Sequence, residues 1–332
     1  MDVIIPLAGK GTRLRPHTYS KPKPLVKVAG KTILGQLINQ LKPYSPKNII
    51  FVTREMEDLV KSYITNFKPD GFTFNPKYVT QEEPLGQAHA LSLTKDLVSD
   101  DFMVLWSDTL FEVEPRLILD QKEVDGMIGV MKIDDVSRFA KIGLDKDGFI
   151  NSYVEKPTEG GPGLASMGTY YFKKSSKLFE YIDEIMKSGN KTKGEFYIAD
   201  ALALMIKRGI KLKTFTVSLW KDCGTINSLL DSNSYLLEKA GSLNLGETKN
   251  SVIIPPVYIE KGAKIDYSVI GPNVSIALGC EIKGAVIKNS IIDEEAIIEN
   301  AALENSLIGK KALVRDNIRR LNVSDDSEID FE

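Results

Sequence analysis

Apolar residues along this chain follow two regimes, and the change falls near Lys239. In the first regime short unbroken apolar runs alternate with helical spacing. Val3-Ile4-Ile5 reads as a buried strand. Ile33, Leu34, Leu37, Ile38 and Leu41 follow at three-to-four spacing, and Asn48-Ile49-Ile50-Phe51-Val52 is a second strand. Met56, Leu59, Val60, Tyr63 and Ile64 mark another helical face, and Phe102-Met103-Val104-Leu105-Trp106 a third strand. This alternation predicts an α/β, Rossmann-like domain: a mostly parallel sheet with helices on both faces. Such sheets bind ligands beyond the carboxyl ends of their strands, where this chain carries the loop at Gly9 and the acid Asp108.

In the second regime, from Val252 onward, aliphatic residues recur every five or six positions, at Ile259, Ile265, Ile270, Ile276, Ile282, Ile287, Ile292, Ile298, Leu303 and Ile308. Each short strand of that kind buries its side chain only when coils stack above and below it, so the period predicts a short left-handed parallel β-helix of hexapeptide repeats. A small β-sandwich would space its turns every 8–12 residues instead. The expected division is a catalytic domain over 1–239, a linker over 240–250, a β-helix over 251–316 and an acidic tail over 317–332.

Lysine and arginine total 43 against 45 acidic residues, a balance that offers no global attraction for nucleic acid or an anionic membrane. The local distribution says more. No acidic residue occurs between Asp2 and Glu55, while Lys10, Arg13, Arg15, Lys21, Lys23, Lys27 and Lys31 crowd the first part of that stretch. A basic run is often a solvated face; here it flanks a glycine loop, which suits a polyanion. Cys223 and Cys280 cannot build a disulfide framework and lack metal-ligand spacing, so each reads as a small core residue in a reducing compartment. With no signal peptide and no run long enough to span a bilayer, a cytoplasmic location is expected.

Gly9 and Gly11, directly after a buried strand, let the backbone approach an anion, and Arg13 adds a guanidinium matched to phosphate oxygens. Two rival motifs fail on spacing. A dinucleotide fingerprint needs a glycine where Leu14 stands and an acid about twenty residues on. Gly30-Lys31-Thr32 lacks the P-loop's first glycine, since Leu25 occupies that position.

With Gly9-Lys10-Gly11-Thr12-Arg13-Leu14-Arg15-Pro16 followed by Lys21-Pro22-Lys23-Pro24-Leu25, the sequence resembles the sugar-1-phosphate nucleotidyltransferases, the nucleoside-diphosphate-sugar pyrophosphorylases. The resemblance extends over most of the chain. It implies that Ala8, Gly9, Gly11, Thr12 and Arg13 carry the nucleoside triphosphate, with Arg13 and Lys23 holding its phosphates. Gln81-Glu82-Glu83-Pro84-Leu85-Gly86 looks like the base-recognition segment, Gln81 pairing with the base and Gly86 lying against it. Asp108 and Asp222, each by itself an ordinary surface or capping acid, resemble the family's paired ligands for Mg²⁺. Glu155-Lys156-Pro157 resembles the sugar-phosphate motif, joined by Ala140, Gly168, Tyr170 and Lys193. Lys156, with Arg13 and Lys23, would be catalytic.

The implied reaction joins a nucleoside triphosphate to a sugar-1-phosphate. The string Pro84-Leu85-Gly86-Gln87-Ala88-His89-Ala90-Leu91 looks most like long-form glucose-1-phosphate thymidylyltransferases with a C-terminal β-helix, which makes dTTP or UTP with glucose-1-phosphate the expected pair. Mannose-1-phosphate guanylyltransferase and a catalytically silent regulatory homologue are the alternatives. An acyltransferase would need a basic group near the coils, and both histidines, His17 and His89, precede them. The β-helix then suggests a homo-oligomer. Departures from the family pattern are Ser107 before Asp108, Ala140 after Phe139, both positions where relatives carry glycine, and Pro6 in place of an aliphatic residue. Alanine keeps a glycine's backbone contact only at negative φ, so sugar preference is what Ala140 puts in question.

Overall fold

The computed structural model describes residues 1–120, 124–189, 191–192 and 194–316, so the acidic segment 317–332 lies outside the described residues. The chain forms two compact units. One comprises Met1–Lys27 with Lys31–Leu229; the other comprises Val28–Gly30 with the chain from Leu230 onward.

The first unit is built on one nine-stranded sheet. Its parallel half consists of β1 (Asp2–Pro6), β2 (Asn48–Thr53), β3 (Asn75–Thr80) and β4 (Phe102–Leu105), in the order β4-β1-β2-β3. Val3, Ile4 and Ile5 lie opposite Ile49, Ile50 and Phe51 in parallel register, and all six are fully buried. An unbroken apolar run is what a strand covered on both faces requires. Helix α1 (Ile33–Gln40) starts where Thr32 Oγ1 accepts from the Gly35 N–H at 2.9 Å. Such a cap contributes about 1 kcal/mol to the helix.

Beyond β4 the sheet turns antiparallel. After the short β5 (Thr109–Glu112), the strands β6 (Gly126–Ile133), β7 (Ala140–Leu144), β8 (Ile150–Glu155) and the long β9 (Gly163–Phe172) add to it, β9 lying antiparallel to β4. Then β10 (Leu212–Thr216) pairs parallel with β6. A separate ribbon joins β5 to β11 (Leu219–Asp222), and its antiparallel register sets Asp222 opposite Thr109.

The second unit is a stack of parallel coils whose strands form three parallel sheets of five, five and four strands among the described residues. Ile259, Ile276, Ile292 and Ile308 follow one another in register down one sheet, and Ile265, Ile282 and Ile298 down the next. Aligned aliphatic side chains fill the axis as the repeat predicts. Residues 240–250, read from the sequence as a linker, hold Leu243–Asn244 and Glu247–Lys249, which pair with Val257–Ile259 and Lys264–Asp266. One corner of successive coils falls at Asn250, Tyr267, Gly284 and Asn300, all with φ between 47° and 64°. Asparagine and glycine tolerate that conformation; Tyr267 is the exception. Among the described residues no helix is long and apolar enough to cross a membrane.

Candidate active site

The carboxyl end of β1 runs into Leu7-Ala8-Gly9, which Leu7 anchors by donating its N–H to the Val52 carbonyl at 2.7 Å. Gly11 takes φ +60° and opens a single tight turn, Thr12–Leu14. Leu14 is buried beneath it and donates to the Gly11 carbonyl at 3.0 Å, which leaves Thr12 and Arg13 exposed above. A cleft of about 490 Å³ opens over this loop, lined by Ala8, Gly9, Gly11, Thr12, Arg13, Lys23, Gln81, Gly86 and Asp108. Every residue assigned to the nucleotide from the sequence therefore faces one cavity.

Its walls are held by specific contacts. Lys23, only 8% exposed, donates to Asp108 Oδ2 at 2.7 Å. Cys223 N–H reaches the Asp108 carbonyl at 2.8 Å, continuing the β5–β11 register and tying Asp108, in the turn before β5, to the residue after Asp222. Asp222 accepts from the Gly224 N–H at 2.8 Å and from Ser228 Oγ at 2.9 Å. A Cβ on Gly224 would lie 2.7 Å from Asp222 Oδ1 and 3.0 Å from Arg13 Nη2, so the guanidinium reaches the same corner.

Gln81 is nearly buried, and its amide is already oriented. Nε2 donates to the Gly86 carbonyl at 3.0 Å and lies 3.1 Å from His89 Nδ1. A carbonyl can only accept, so nitrogen must face Gly86, and His89 then receives the second amide proton on an unprotonated Nδ1. Gly86 itself has φ +111°, and a Cβ there would meet the Phe196 backbone at 2.5 Å.

A smaller compartment of about 230 Å³ shares Gln87 and Trp106 with the first; Asp108 lines the larger space and Thr109 the smaller. Ala140, Glu155, Lys156, Gly168 and Tyr170 all line it. Lys156 has φ +46° and is pinned by its N–H to the Phe139 carbonyl at 2.9 Å, a strained conformation of the kind that gathers at functional sites. Ala140 sits in an extended strand opposite Glu155, where a Cβ carries no strain. Gly168, at φ +69°, leaves room for the Trp106 ring, which a Cβ would meet at 2.5 Å. Burial raises the Tyr153 and Tyr170 hydroxyls above their ordinary range, so both remain protonated donors. Lys193 lies outside the described residues.

Sequence reasoning missed His89, Tyr153, Ser166 and Ser228. Two of them carried a readable signal. Strand alternation from Glu155 reaches Tyr153, and from Gly168 and Tyr170 it reaches Ser166. Ser228 acts through a turn that no period announces.

Fold and cleft define an α/β protein with two joined polar compartments at the carboxyl ends of its strands. The nucleotidyl transferase family matches residues 2–239, and the chain belongs to that family. The GMPPB C-terminal domain family matches residues 253–324. The bifunctional protein GlmU of Methanococcus maripaludis is 33% identical over 270 residues, 79% of this chain and 61% of that relative. The chain thus spans about three fifths of the length of such relatives. A glucose-1-phosphate thymidylyltransferase of Streptomyces antibioticus is 27% identical over 362 aligned positions, covering 100% of both chains. The crystal structure of a Bacillus anthracis protein assigned as a glucose-1-phosphate thymidylyltransferase, solved with sucrose, superposes with a TM-score of 0.62 at 29% identity, over 74% of this chain and 98% of that one. The family expected from the sequence is the family found.

Proposed function

We propose that this chain transfers a nucleotidyl group from a nucleoside triphosphate to a sugar-1-phosphate, releasing pyrophosphate. The observation that carries the reading is the pair of adjoining compartments, one lined by a glycine loop with Arg13 and Lys23, the other by Glu155 and Lys156. A sugar-phosphate oxygen attacks the α-phosphorus in line, and the bond to the β-phosphate oxygen breaks. The attacking phosphate is already anionic, so no activated side-chain nucleophile is required. Catalysis comes from alignment and charge: Arg13 and Lys23 on the triphosphate, Lys156 on the sugar phosphate.

Asp108 and Asp222 fit a hard divalent cation, because the groups they offer are carboxylate oxygens and the hydrogen bonds from Lys23, Gly224 and Ser228 orient them. Among the described residues there is no cluster of three or more potential ligands, and Mg²⁺ with two carboxylates plus phosphate and water needs none. When bound, Mg²⁺ would neutralise charge developing on the phosphates.

The substrate pair favoured is dTTP or UTP with glucose-1-phosphate, supported by the full-length similarity to a thymidylyltransferase. Guanylyl transfer to mannose-1-phosphate stays as the second reading, since the Gln81 carbonyl that accepts uracil or thymine N3–H would equally accept guanine N1–H. The in-register positions Val252, Val269, Val286 and Ala302, exposed or half-buried along one outer face of the coils, support self-association, which light scattering in solution would test. A grid of nucleoside triphosphates against sugar-1-phosphates, read by pyrophosphate release, tests the activity. Highest turnover with UTP or dTTP and glucose-1-phosphate is expected. Preferential use of GTP would overturn the substrate choice, and silence in every pair the reaction itself.

A further inference from the structure

Between Arg15 and Ser20 the chain is a surface loop, and within it only Thr18 is buried, at 7% exposed. Two turns, from His17 N–H to the Leu14 carbonyl and from Tyr19 N–H to the Pro16 carbonyl, both at 3.0 Å, fold it back on the glycine loop. There the Thr18 hydroxyl donates to the Gly11 carbonyl at 2.9 Å. The same carbonyl accepts the Leu14 N–H at 3.0 Å, so two donors from buried residues engage both its lone pairs. A Cβ on Gly11 would meet Thr18 Cγ2 at 3.2 Å and Lys23 Cβ at 2.9 Å, which places the Gly11 backbone between those side chains.

That anchorage orients the other edge of the peptide. In a planar trans peptide the C=O and N–H point in opposite directions, so holding the Gly11 carbonyl inward turns the Thr12 N–H away from Leu14 and Thr18. Gly11 and the exposed Thr12 both line the larger compartment. Glycine at φ +60° is the residue least able to hold such a peptide by itself, because no Cβ resists its rotation. Turned over, the peptide would set a carbonyl oxygen against an anion in place of a donor.

We propose that Thr18 is a positioning residue for the triphosphate: its hydroxyl locks the Gly11–Thr12 peptide so that the Thr12 N–H is presented to a phosphate oxygen, beside Arg13 and Lys23. Thr18 acts through Gly11 and touches no substrate itself. The inference rests on the larger compartment being the triphosphate site.

The test uses the full chain with Mg²⁺, as wild type, as Thr18→Val, which keeps the shape and removes the donor, and as Thr18→Ser, which keeps the donor. Calorimetry measures binding of inorganic tripolyphosphate, the anionic part of the ligand without base or ribose. Pyrophosphate release gives KM for the triphosphate and for the sugar phosphate, and thermal melting is followed in parallel. Thr18→Val is expected to bind tripolyphosphate about tenfold more weakly and to raise the triphosphate KM by a similar factor, with KM for the sugar phosphate unchanged. Thr18→Ser should recover most of both. A purely structural hydroxyl would lower the melting temperature of Thr18→Val and leave both affinities at wild-type values, which overturns the inference. Equal losses in Thr18→Val and Thr18→Ser overturn it too, since the donor is then not what matters. A wild type that turns over no substrate pair, yet binds tripolyphosphate tenfold better than Thr18→Val, removes the proposed reaction and keeps this inference. A wild type that does not bind tripolyphosphate removes the inference. Should Thr18→Val fail to fold, Thr18→Ala set against Thr18→Ser decides by the same comparison.

Discussion

Lys23 Nζ donates to Asp108 Oδ2 at 2.7 Å, joining the basic N-terminal stretch to the acid that follows β4. The two ends are unequally covered: the lysine side chain is 10% exposed and the aspartate 31%. Replacing Lys23 by alanine therefore leaves behind a carboxylate that water still reaches. The expected stability loss is small, under about 1 kcal/mol. Turnover should fall by about 10²–10³, the usual cost of one preorganised charge at a reacting phosphate. Melting temperature and pyrophosphate release, measured on the same preparation, separate the two. A variant with near wild-type turnover would remove Lys23 from the catalytic set.

Three glycines in the larger compartment are predicted to behave differently. At Gly86 the φ of +111° and the Phe196 backbone 2.5 Å from an added methyl leave no room, so Gly86→Ala should cost about 1–3 kcal/mol and weaken triphosphate binding. Gly11→Ala meets Lys23 Cβ at 2.9 Å with φ +60° and should destabilise likewise. Gly9 has no atom within 4 Å and no positive φ, so Gly9→Ala should stay within about 0.5 kcal/mol of wild type. A rise in triphosphate KM with unchanged melting would then report close approach of ligand to backbone at Gly9.

Because the Gln81 amide nitrogen is spent on Gly86 and His89, only its carbonyl can meet a base. UTP, dTTP and GTP carry a ring N–H for it, whereas CTP and ATP present a lone pair at the corresponding ring nitrogen. Discrimination of about 10–100-fold against CTP relative to UTP is expected, the cost of two acceptors facing each other in a buried site. Gln81→Leu should erase most of it. Equal use of CTP and UTP by wild type would contradict this orientation.

Much of this architecture was legible in the chain, for identifiable reasons. Ile4, Ile50 and Val104 belong to apolar runs that only a doubly covered parallel sheet demands, and the aliphatic period from Ile259 onward announces stacked coils. The antiparallel half was not legible, because Ile150–Glu155 and Gly163–Phe172 mix polar and apolar residues, Ile150 and Phe172 going to the core while Glu155 and Ser166 line a cavity. Strands within 240–250 were hidden as well: Leu243–Asn244 and Glu247–Lys249 are exposed and carry no aliphatic period. At the site, the loop and the paired aspartates came from motif order. The hydroxyls of Tyr153 and Ser166 did not, since their meaning depends on which neighbours β8 and β9 bring together.

Glu57 makes a prediction about acid. It opens the helix α2 (Glu57–Asn66), and its carboxylate accepts from Thr53 Oγ1 at 2.5 Å and Thr80 Oγ1 at 2.6 Å while pairing with Lys61 one turn on. Thr53 and Thr80 are register partners at the ends of β2 and β3, and Gln81 N–H bonds the Thr53 carbonyl at 2.7 Å, so this carboxylate ties down the strand ends that carry the base-facing amide. The Lys61 hydrogen bond first, then the two hydroxyls, lower Glu57 from its ordinary 4.5 to about 2. A depressed carboxyl stabilises the fold at pH above its unfolded value and loses that contribution as protons bind the folded form. The stability difference between wild type and Glu57→Gln should thus be constant above about pH 5, on the order of 1–2 kcal/mol with solvent screening of the pair allowed for. It should shrink as pH falls from 4.5 and be gone near pH 2. Urea titrations of both proteins across that range measure the difference directly, with the other carboxylates cancelling. A difference that holds unchanged to pH 2 would mean the Glu57 charge is not what fastens these strand ends.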